Sequence, residues 1–129
     1  MKCRPIIAIL RGIKPIEAES VSEILIDSGI KIIEVPLNSP YPIETLNRMV
    51  DFHGDAGIFG AGTVLNIEQV EEVHATGAKL IVSPNTNVDV IKKTKELGMI
   101  SIPGCYTATE ALMSLESGAD GLKFFPAFQ

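Results

Sequence analysis

The chain alternates short, continuous apolar runs with longer segments in which apolar residues recur every three to four positions. The apolar runs predict six strands, at residues 6–10, 31–35, 57–61, 79–83, 99–102 and 121–125. Strands that are apolar on both faces are typical of a parallel sheet covered by helices. The segments between them have helical periodicity, as with Ile16, Val21, Ile24 and Leu25 in the first. The pattern therefore predicts an α/β fold of six strand–helix units.

A helix-to-strand junction recurs along the chain, as "DSGIKIIEVP", "ATGAKLIVSP", "ELGMISIPG" and "ESGADGLKFFP". Each places a glycine where a helix needs a left-handed C-terminal residue, and "FHGDAG" predicts one more helix end at Gly54. Asn66 with Gln69, and Thr107 with Glu110, have the spacing of N-terminal helix caps. These signals indicate where the helices begin and end.

Two architectures fit serial βα units, an open doubly wound sheet and a (β/α)8 TIM barrel. The segment after the first strand, "LRGIKPIEAE", contains neither G-x-G-x-x-G nor a P-loop. We therefore favour the barrel. No linker or low-complexity segment divides residues 1–129, which predicts one domain.

Composition excludes several classes of function. The net charge is −5 and only 5% of the residues are aromatic, so nucleic acid is not an expected partner. No apolar stretch reaches the roughly 20 residues that a membrane helix needs. Cys3 and Cys105 lie far apart, as expected of reduced thiols in the cytoplasm. Since His53 and His74 form no pair at ligand spacing, we expect no structural zinc site; this spacing leaves open a single catalytic metal held by carboxylates. No cofactor is expected.

A polar residue stands at or near the carboxyl end of each predicted strand, and in a barrel all these ends meet at one mouth, where barrel enzymes carry out their chemistry. The six residues are Arg11, Glu34, Thr63, Asn85, Cys105 and Lys123. A lysine within a strand loses hydration, and a nearby cation further favours its free amine. Such an amine can attack a carbonyl and form a Schiff base, with Glu34 as the acid/base partner.

Structural interpretations remain open for the same residues. Lys123 and Glu34 could form a structural ion pair inside the barrel, and Arg11 could be an ordinary surface residue. Thr63 and Asn85 are residue types that often cap helices. A buried cysteine is usually inert. His53 and His74 are expected to be solvated near helix ends.

The strings "AILRGI", "IIEVPLNSP", "GAGTVLN", "IVSPN", "IPGCYTATEA" and "LKFFPA", taken in order, closely resemble the bacterial 2-keto-3-deoxy-6-phosphogluconate aldolase family. The resemblance covers the whole chain and implies a class I, Schiff-base-forming (β/α)8 barrel that needs no metal. "LRG", "PLNSP", "SPN" and "PGCYTATEA" look more like the 2-dehydro-3-deoxy-6-phosphogalactonate branch. The gluconate branch usually has an arginine where this chain has Asn38.

The resemblance also implies a role for six residues. Lys123 would be the Schiff-base lysine and Glu34 the general acid/base; Arg11 and Thr63 would bind the pyruvate carboxylate, and Pro84 and Phe125 would pack around the pyruvyl group. The implied reaction is reversible cleavage of a 2-keto-3-deoxy-6-phospho sugar acid to pyruvate and glyceraldehyde 3-phosphate. A homotrimer is implied as well.

The chain departs from a complete barrel at its end. A barrel of this type has eight strands, and only six are predicted here, so the barrel is expected to be truncated after strand 6. Loops after strands 7 and 8 commonly bind a substrate phosphate. Two apolar edges, "IIAIL" and "LKFFP", are expected to be left without strand partners, and the tail departs from the family at Phe128 and Gln129.

Two alternatives to the aldolase follow. The chain could be an inactive fragment, or a barrel completed by copies of itself. A metal-dependent, class II pyruvate aldolase would need metal ligands at the mouth beyond Glu34.

Overall fold

The computed structural model describes residues 4–127, so Cys3, Phe128 and Gln129 lie outside the described residues. Its strands are β1 (Ile7–Ile9), β2 (Ile32–Pro36), β3 (Ile58–Gly62), β4 (Leu80–Val82), β5 (Ile100–Ile102), β6 (Gly104–Cys105) and β7 (Lys123–Phe124). Its helices are α1 (Ala18–Asp27), α2 (Pro42–His53), α3 (Ile67–Ala75), α4 (Val88–Glu96) and α5 (Ala108–Glu116). Two short 3-10 turns, Pro15–Glu17 and Gly54–Ala56, flank α1 and α2.

The strands follow one another in space in the order of the sequence. β1 to β5 form one sheet in the order β1-β2-β3-β4-β5, every pair is parallel, and β6 pairs with β7 in parallel. A doubly wound sheet would instead reverse its strand order near the middle. The sequential winding is that of a (β/α)8 barrel, which confirms the predicted fold class.

The last strands differ from the prediction. The strand predicted at residues 99–102 is confirmed as β5, but the short strand β6 after Pro103 was not predicted, and the strand predicted at residues 121–125 is β7, which is only two residues long. Proline has no N–H to give to a ladder, which explains the break between β5 and β6. The connection to β7 nevertheless spans the break, because the Lys123 N–H donates to the Pro103 carbonyl at 2.9 Å and the Phe125 N–H donates to the Cys105 carbonyl at 3.2 Å.

The predicted helix ends are confirmed. The five glycines all have positive φ, as a left-handed C-terminal position requires: Gly29, Gly54, Gly77, Gly98 and Gly118. Asn66 Oδ1 accepts from the Gln69 N–H at 2.9 Å, and Thr107 forms a full capping box with Glu110.

Alternate residues of the strands face two different layers. Ile33, Val35, Phe59 and Ala61 pack into the core between the sheet and the helices. The side chains between them point to the barrel interior, as the period of two in a strand requires, which is why Glu34 faces away from that core. The apolar stripe predicted for α1 is only half right, because Val21 and Leu25 pack on the core whereas Ile24 is exposed. Ile16 precedes α1 in the 3-10 turn and is 75% exposed.

His53 does not have the solvated environment that the sequence suggested. Its ring is half-buried, lies 2.8 Å from Ser22 Oγ of α1 through Nε2, and stacks on Phe59 with 5.5 Å between ring centroids. The sequence around His53 gives no sign of this contact, because α1 and α2 pack side by side only in the folded chain. His74 is exposed, as expected.

The two predicted apolar edges are present in residues 4–127. Over this range β1 pairs only with β2, and β7 pairs only with β6. Ile9 is 52% exposed on one edge and Phe124 is 66% exposed on the other. No helix in this part of the chain is both long enough and apolar enough to span a membrane.

Candidate active site

A cavity of about 250 Å³ lies on the interior face of the sheet, between the two edge strands. Glu34 and Lys123 are its ionisable residues, and aliphatic side chains supply the rest of the wall: Ile7, Ile9, Val82, Ile102 and Leu122. The structure thus brings together the two residues predicted to perform the chemistry. Glu34 lies in β2 and Lys123 lies in β7, and the two residues are 89 positions apart in the sequence.

Glu34 is held rigidly by its backbone and is almost completely buried. It lies opposite Ile9 and Gly60 in the parallel ladders, and its carbonyl accepts from the Leu10 N–H at 2.9 Å. The residue is 2% exposed, and Oε2 has no hydrogen-bond partner among the described residues. A buried carboxyl oxygen without a partner is energetically costly, and this cost identifies Glu34 as a functional candidate.

Two glycines of β3 allow close approach by neighbouring groups, and Gly62 is the one beside the Glu34 carboxylate. A Cβ at Gly62 would overlap the Glu34 carboxylate, and a Cβ at Gly60 would overlap the backbone carbonyl and Cβ of Leu80. Neither glycine was among the site residues predicted from the sequence. Alternating glycines in a strand, as in "FGAG", are a signal of close approach by neighbouring groups.

Burial raises the pKa of the Glu34 carboxyl above its ordinary value, and the positive charges of Lys123 and Arg11 partly oppose this rise. Desolvation disfavours the charged form, whereas a nearby cation favours it. A carboxyl whose pKa is raised in this way is suited both to donating and to accepting a proton.

Lys123 is half-buried in β7 and does not form the structural ion pair that remained open from the sequence. The distance between its Nζ and the Glu34 oxygens exceeds ion-pairing range, although both groups line the cavity. Nζ lies 5.0 Å from the centre of the Phe125 ring. Lys123 and Glu34 therefore share the cavity without an ion pair between them.

Arg11 lies just beyond β1, and its exposed guanidinium donates from Nη1 to Asn38 Oδ1 at 2.6 Å. Asn38 lies beyond β2, so this bond connects the carboxyl ends of two neighbouring strands. A second bond, from the Gly12 N–H to Ser39 Oγ at 3.0 Å, joins the same two loops. In the sequence, Asn38 is marked only by its difference from the gluconate branch, and this contact with Arg11 has no local signal.

The remaining predicted residues also follow strands at the same end of the sheet, but they do not line the cavity. Thr63, directly after β3, has a φ of 60°, an unusual conformation for a β-branched residue. The next helix, α3, begins four residues later at Ile67, so Thr63 is not part of a helix start. Pro84 is half-buried with its carbonyl close to Gly104, and Phe125 lies exposed beneath the lysine.

No group of three or more His, Cys, Asp and Glu side chains that could hold a metal ion occurs in residues 4–127. Cys105 is a buried, free thiol in β6. Asn85 is exposed in the loop after β4.

Comparison with known proteins gives one consistent result. The chain is 49% identical over 124 residues to a probable 2-dehydro-3-deoxy-6-phosphogalactonate aldolase of Rhizobium meliloti, and 48% identical over 123 residues to a 2-dehydro-3-deoxy-6-phosphogalactonate aldolase of Escherichia coli. These matches cover 96% and 95% of this chain, but only 58% and 60% of the relatives. The chain therefore spans about three fifths of their length.

Solved structures agree with the sequence matches. A native KDPGal structure superposes with a TM-score of 0.93 at 46% identity, covering 98% of this chain and 63% of that one. A KDPG aldolase from Legionella pneumophila, with pyruvate captured at low pH as a covalent carbinolamine intermediate, has a TM-score of 0.87 at 30% identity, covering 95% of this chain and 59% of that one. The family model described as "Aldolase: KDPG and KHG aldolase" matches residues 1–129, and the chain belongs to that family.

Proposed function

We propose that the protein is a class I aldolase that reversibly cleaves a 2-keto-3-deoxy-6-phospho sugar acid to pyruvate and glyceraldehyde 3-phosphate, with the galactonate epimer preferred. One observation carries this proposal. Lys123 and Glu34 line the same apolar cavity, and the Glu34 carboxyl is buried with a raised pKa and an oxygen without a hydrogen-bond partner among residues 4–127.

Lys123 would supply the nucleophile. Its neutral amine adds to the keto carbon, so that a C–N bond forms and the carbonyl oxygen becomes a hydroxyl, giving a carbinolamine. Protonation of the hydroxyl and its departure as water then give an iminium ion, which is an electron sink for the adjacent carbon–carbon bond. The carbinolamine captured with pyruvate in the Legionella pneumophila KDPG aldolase is an intermediate of this type and supports the proposal.

Glu34 would move the protons. Its carboxylate removes the proton from the C4 hydroxyl while the electrons of the C3–C4 bond flow to the iminium nitrogen, releasing the aldehyde and leaving an enamine. The protonated Glu34 then returns a proton to C3, and hydrolysis of the iminium ion frees pyruvate and the amine. Because burial raises its pKa, the carboxyl can exist in both forms during one cycle.

Arg11 and Thr63 would bind the pyruvate carboxylate, with Pro84 and Phe125 beside the pyruvyl group. Arg11 is exposed at the carboxyl ends of the strands, and a guanidinium can bind a carboxylate through two parallel hydrogen bonds. The preference for the galactonate epimer is supported by the names of the relatives: those at 48–49% identity are galactonate aldolases, and a gluconate aldolase of Zymomonas mobilis is 30% identical.

A second candidate is a barrel that becomes active only when it is completed by further strands, from copies of the chain or from another segment. The exposed Ile9 and Phe124 on the two edges favour it. We extend the proposal to a homo-oligomer, a trimer by resemblance to the family. The metal-dependent alternative has no ligand cluster within the described range, and resistance to a chelator would be evidence against it.

The test is borohydride trapping with pyruvate, followed by intact mass and peptide mapping. We expect one pyruvyl adduct, on Lys123, and none in Lys123→Ala. Lys79→Ala is the matched control, because Lys79 is an exposed lysine paired with Asp55 before β4. A folded wild-type chain without an adduct would refute the aldolase proposal for the chain as it stands. If the adduct forms, cleavage rates of the two phosphorylated epimers then test the galactonate preference.

A further inference from the structure

We infer that Asp120 is a positioning residue for Lys123: its carboxylate fixes the register in which β7 joins the sheet and so directs the lysine into the cavity with Glu34. The inference rests on the proposed function. β7 consists of only Lys123 and Phe124 and has one strand partner, β6. So short an edge strand has few contacts of its own to define its register.

Asp120 supplies an additional contact just before β7. Its backbone N–H donates to the Ser101 carbonyl at 2.9 Å, and the Ser101 N–H donates back to Asp120 Oδ2 at 2.8 Å. Ser101 is the buried central residue of β5. The side-chain oxygen thus takes the place that a strand carbonyl would fill, and the two bonds lock Asp120 opposite Ser101.

The same carboxylate oxygen is held from the other side by a helix. Lys95 of α4 donates from Nζ to Asp120 Oδ2 at 2.6 Å and to the Met99 carbonyl at 3.0 Å. One oxygen therefore connects the end of α4, the buried strand β5 and the start of β7. Although burial favours the neutral form, the bonds from Lys95 and Ser101 together hold the pKa of Asp120 below its ordinary value.

The register matters because of strand geometry. From Asp120 the chain runs to Lys123, whose N–H donates to the Pro103 carbonyl at 2.9 Å. A slip of one residue would turn the lysine to the opposite face of the sheet, away from Glu34. Three residues of extended chain span about 10 Å, so Asp120 acts through the backbone and does not touch the substrate.

The experiment compares Asp120→Ala, Asp120→Asn and Asp120→Glu in the pyruvate trapping assay on the full chain. Asparagine keeps an oxygen at the same distance from the Ser101 N–H, whereas glutamate keeps the charge but displaces the oxygen by one methylene. We expect the rate of trapping at saturating pyruvate to fall about tenfold or more in Asp120→Ala and about fivefold in Asp120→Glu, as a displaced reacting group predicts. The trapping rate of Asp120→Asn should stay within about threefold of the wild-type rate. The pyruvate concentration that gives half-maximal trapping should be unchanged in all three variants.

Asp55→Ala is the matched control, because Asp55 forms an exposed ion pair with Lys79 at 2.7 Å and its side chain makes no hydrogen bond to a strand backbone within residues 4–127. It should trap pyruvate at the wild-type rate. If the trapping rate depends on the negative charge at position 120, so that Asp120→Glu traps pyruvate and Asp120→Asn does not, the positioning role is refuted. Wild-type rates in Asp120→Ala would also refute it.

Amide hydrogen exchange separates this inference from the proposed function. The N–H groups of Lys123 and Phe125 donate across the β6–β7 connection, and we expect both to exchange about tenfold faster in Asp120→Glu than in Asp55→Ala. This readout does not need an active enzyme and does not depend on whether Asp120→Ala folds. A wild-type chain that forms no pyruvyl adduct would refute the proposed function, whereas unchanged exchange would refute the register role.

Discussion

The Glu34 carboxylate occupies the space that a side chain at position 62 would fill, so the glycine at the end of β3 and the acid of β2 form one structural unit. Gly62→Ala would push the carboxylate aside. Because the displaced atoms are at the end of a side chain, we expect the stability to change by less than about 1 kcal/mol. Trapping of pyruvate should nevertheless slow by about tenfold or more, because the acid/base group is misplaced.

Gly60→Ala gives the contrasting outcome. Here the added methyl would overlap the backbone of β4 at Leu80, which cannot rotate away. We expect a loss of about 1–3 kcal/mol or more in the free energy of unfolding, measured by urea denaturation. Equal loss of stability in the two variants would contradict the distinction between a displaced side chain and a displaced backbone.

Glu34→Gln tests the acid/base role. The amide is nearly isosteric but cannot exchange a proton, so we expect the Lys123–pyruvate enamine to form slowly. Incorporation of solvent deuterium at C3 of pyruvate should fall by roughly 100- to 10,000-fold. Incorporation at the wild-type rate would assign proton transfer to another group.

The same variant has a predicted pH dependence of stability. Burial raises the folded pKa of Glu34 above its ordinary value of 4.5, so folding favours the protonated carboxyl. The contribution of this group to the free energy of unfolding is therefore fully present below pH 4.5 and is lost as the pH rises through the folded pKa. At pH 8 Glu34→Gln should therefore be more stable than wild type, because the neutral amide does not carry the cost of keeping an ionisable carboxyl in a desolvated site. The difference should shrink below pH 4.5. Urea denaturation at both pH values measures it, and a more stable wild type at pH 8 would contradict the sign.

Asn38→Ala tests whether Asn38 orients the Arg11 guanidinium. Losing the 2.6 Å bond should raise the pyruvate concentration for half-maximal trapping by about three- to tenfold, with little change in the maximal rate. Asn47→Ala, an exposed asparagine on the outer side of α2, is the control. An effect on the maximal rate alone would point to a role other than binding.

The bond between Ser22 and His53 is expected to stabilise the packing of α1 on α2. A double-mutant cycle with Ser22→Ala and His53→Ala should give a coupling of about 0.5–1.5 kcal/mol in urea denaturation. His74→Ala, at an exposed position, should change the stability by no more than about 0.5 kcal/mol.

Much of the architecture could be predicted because it depends on local signals. Continuous apolar runs indicated the parallel strands, and the helix-ending glycines have the positive φ that their position requires. The capping residues Asn66 and Thr107 also act as predicted. The local signals missed the two-residue strand β6, which follows Pro103, and they failed at Ile16, whose apolar character suggested a core position that the 3-10 turn does not give it.

The sequence by itself determined the residue types at the carboxyl ends of the strands, including Glu34 and Lys123, because each follows or lies within a recognisable apolar run. Only the tertiary structure decided that these two share a cavity without pairing, that Gly62 makes room for the acid, and that Asp120 binds Ser101 across two strands. The reason is physical: strand and helix signals act over a few residues, whereas burial, close approach and register arise between segments that meet only when the sheet forms.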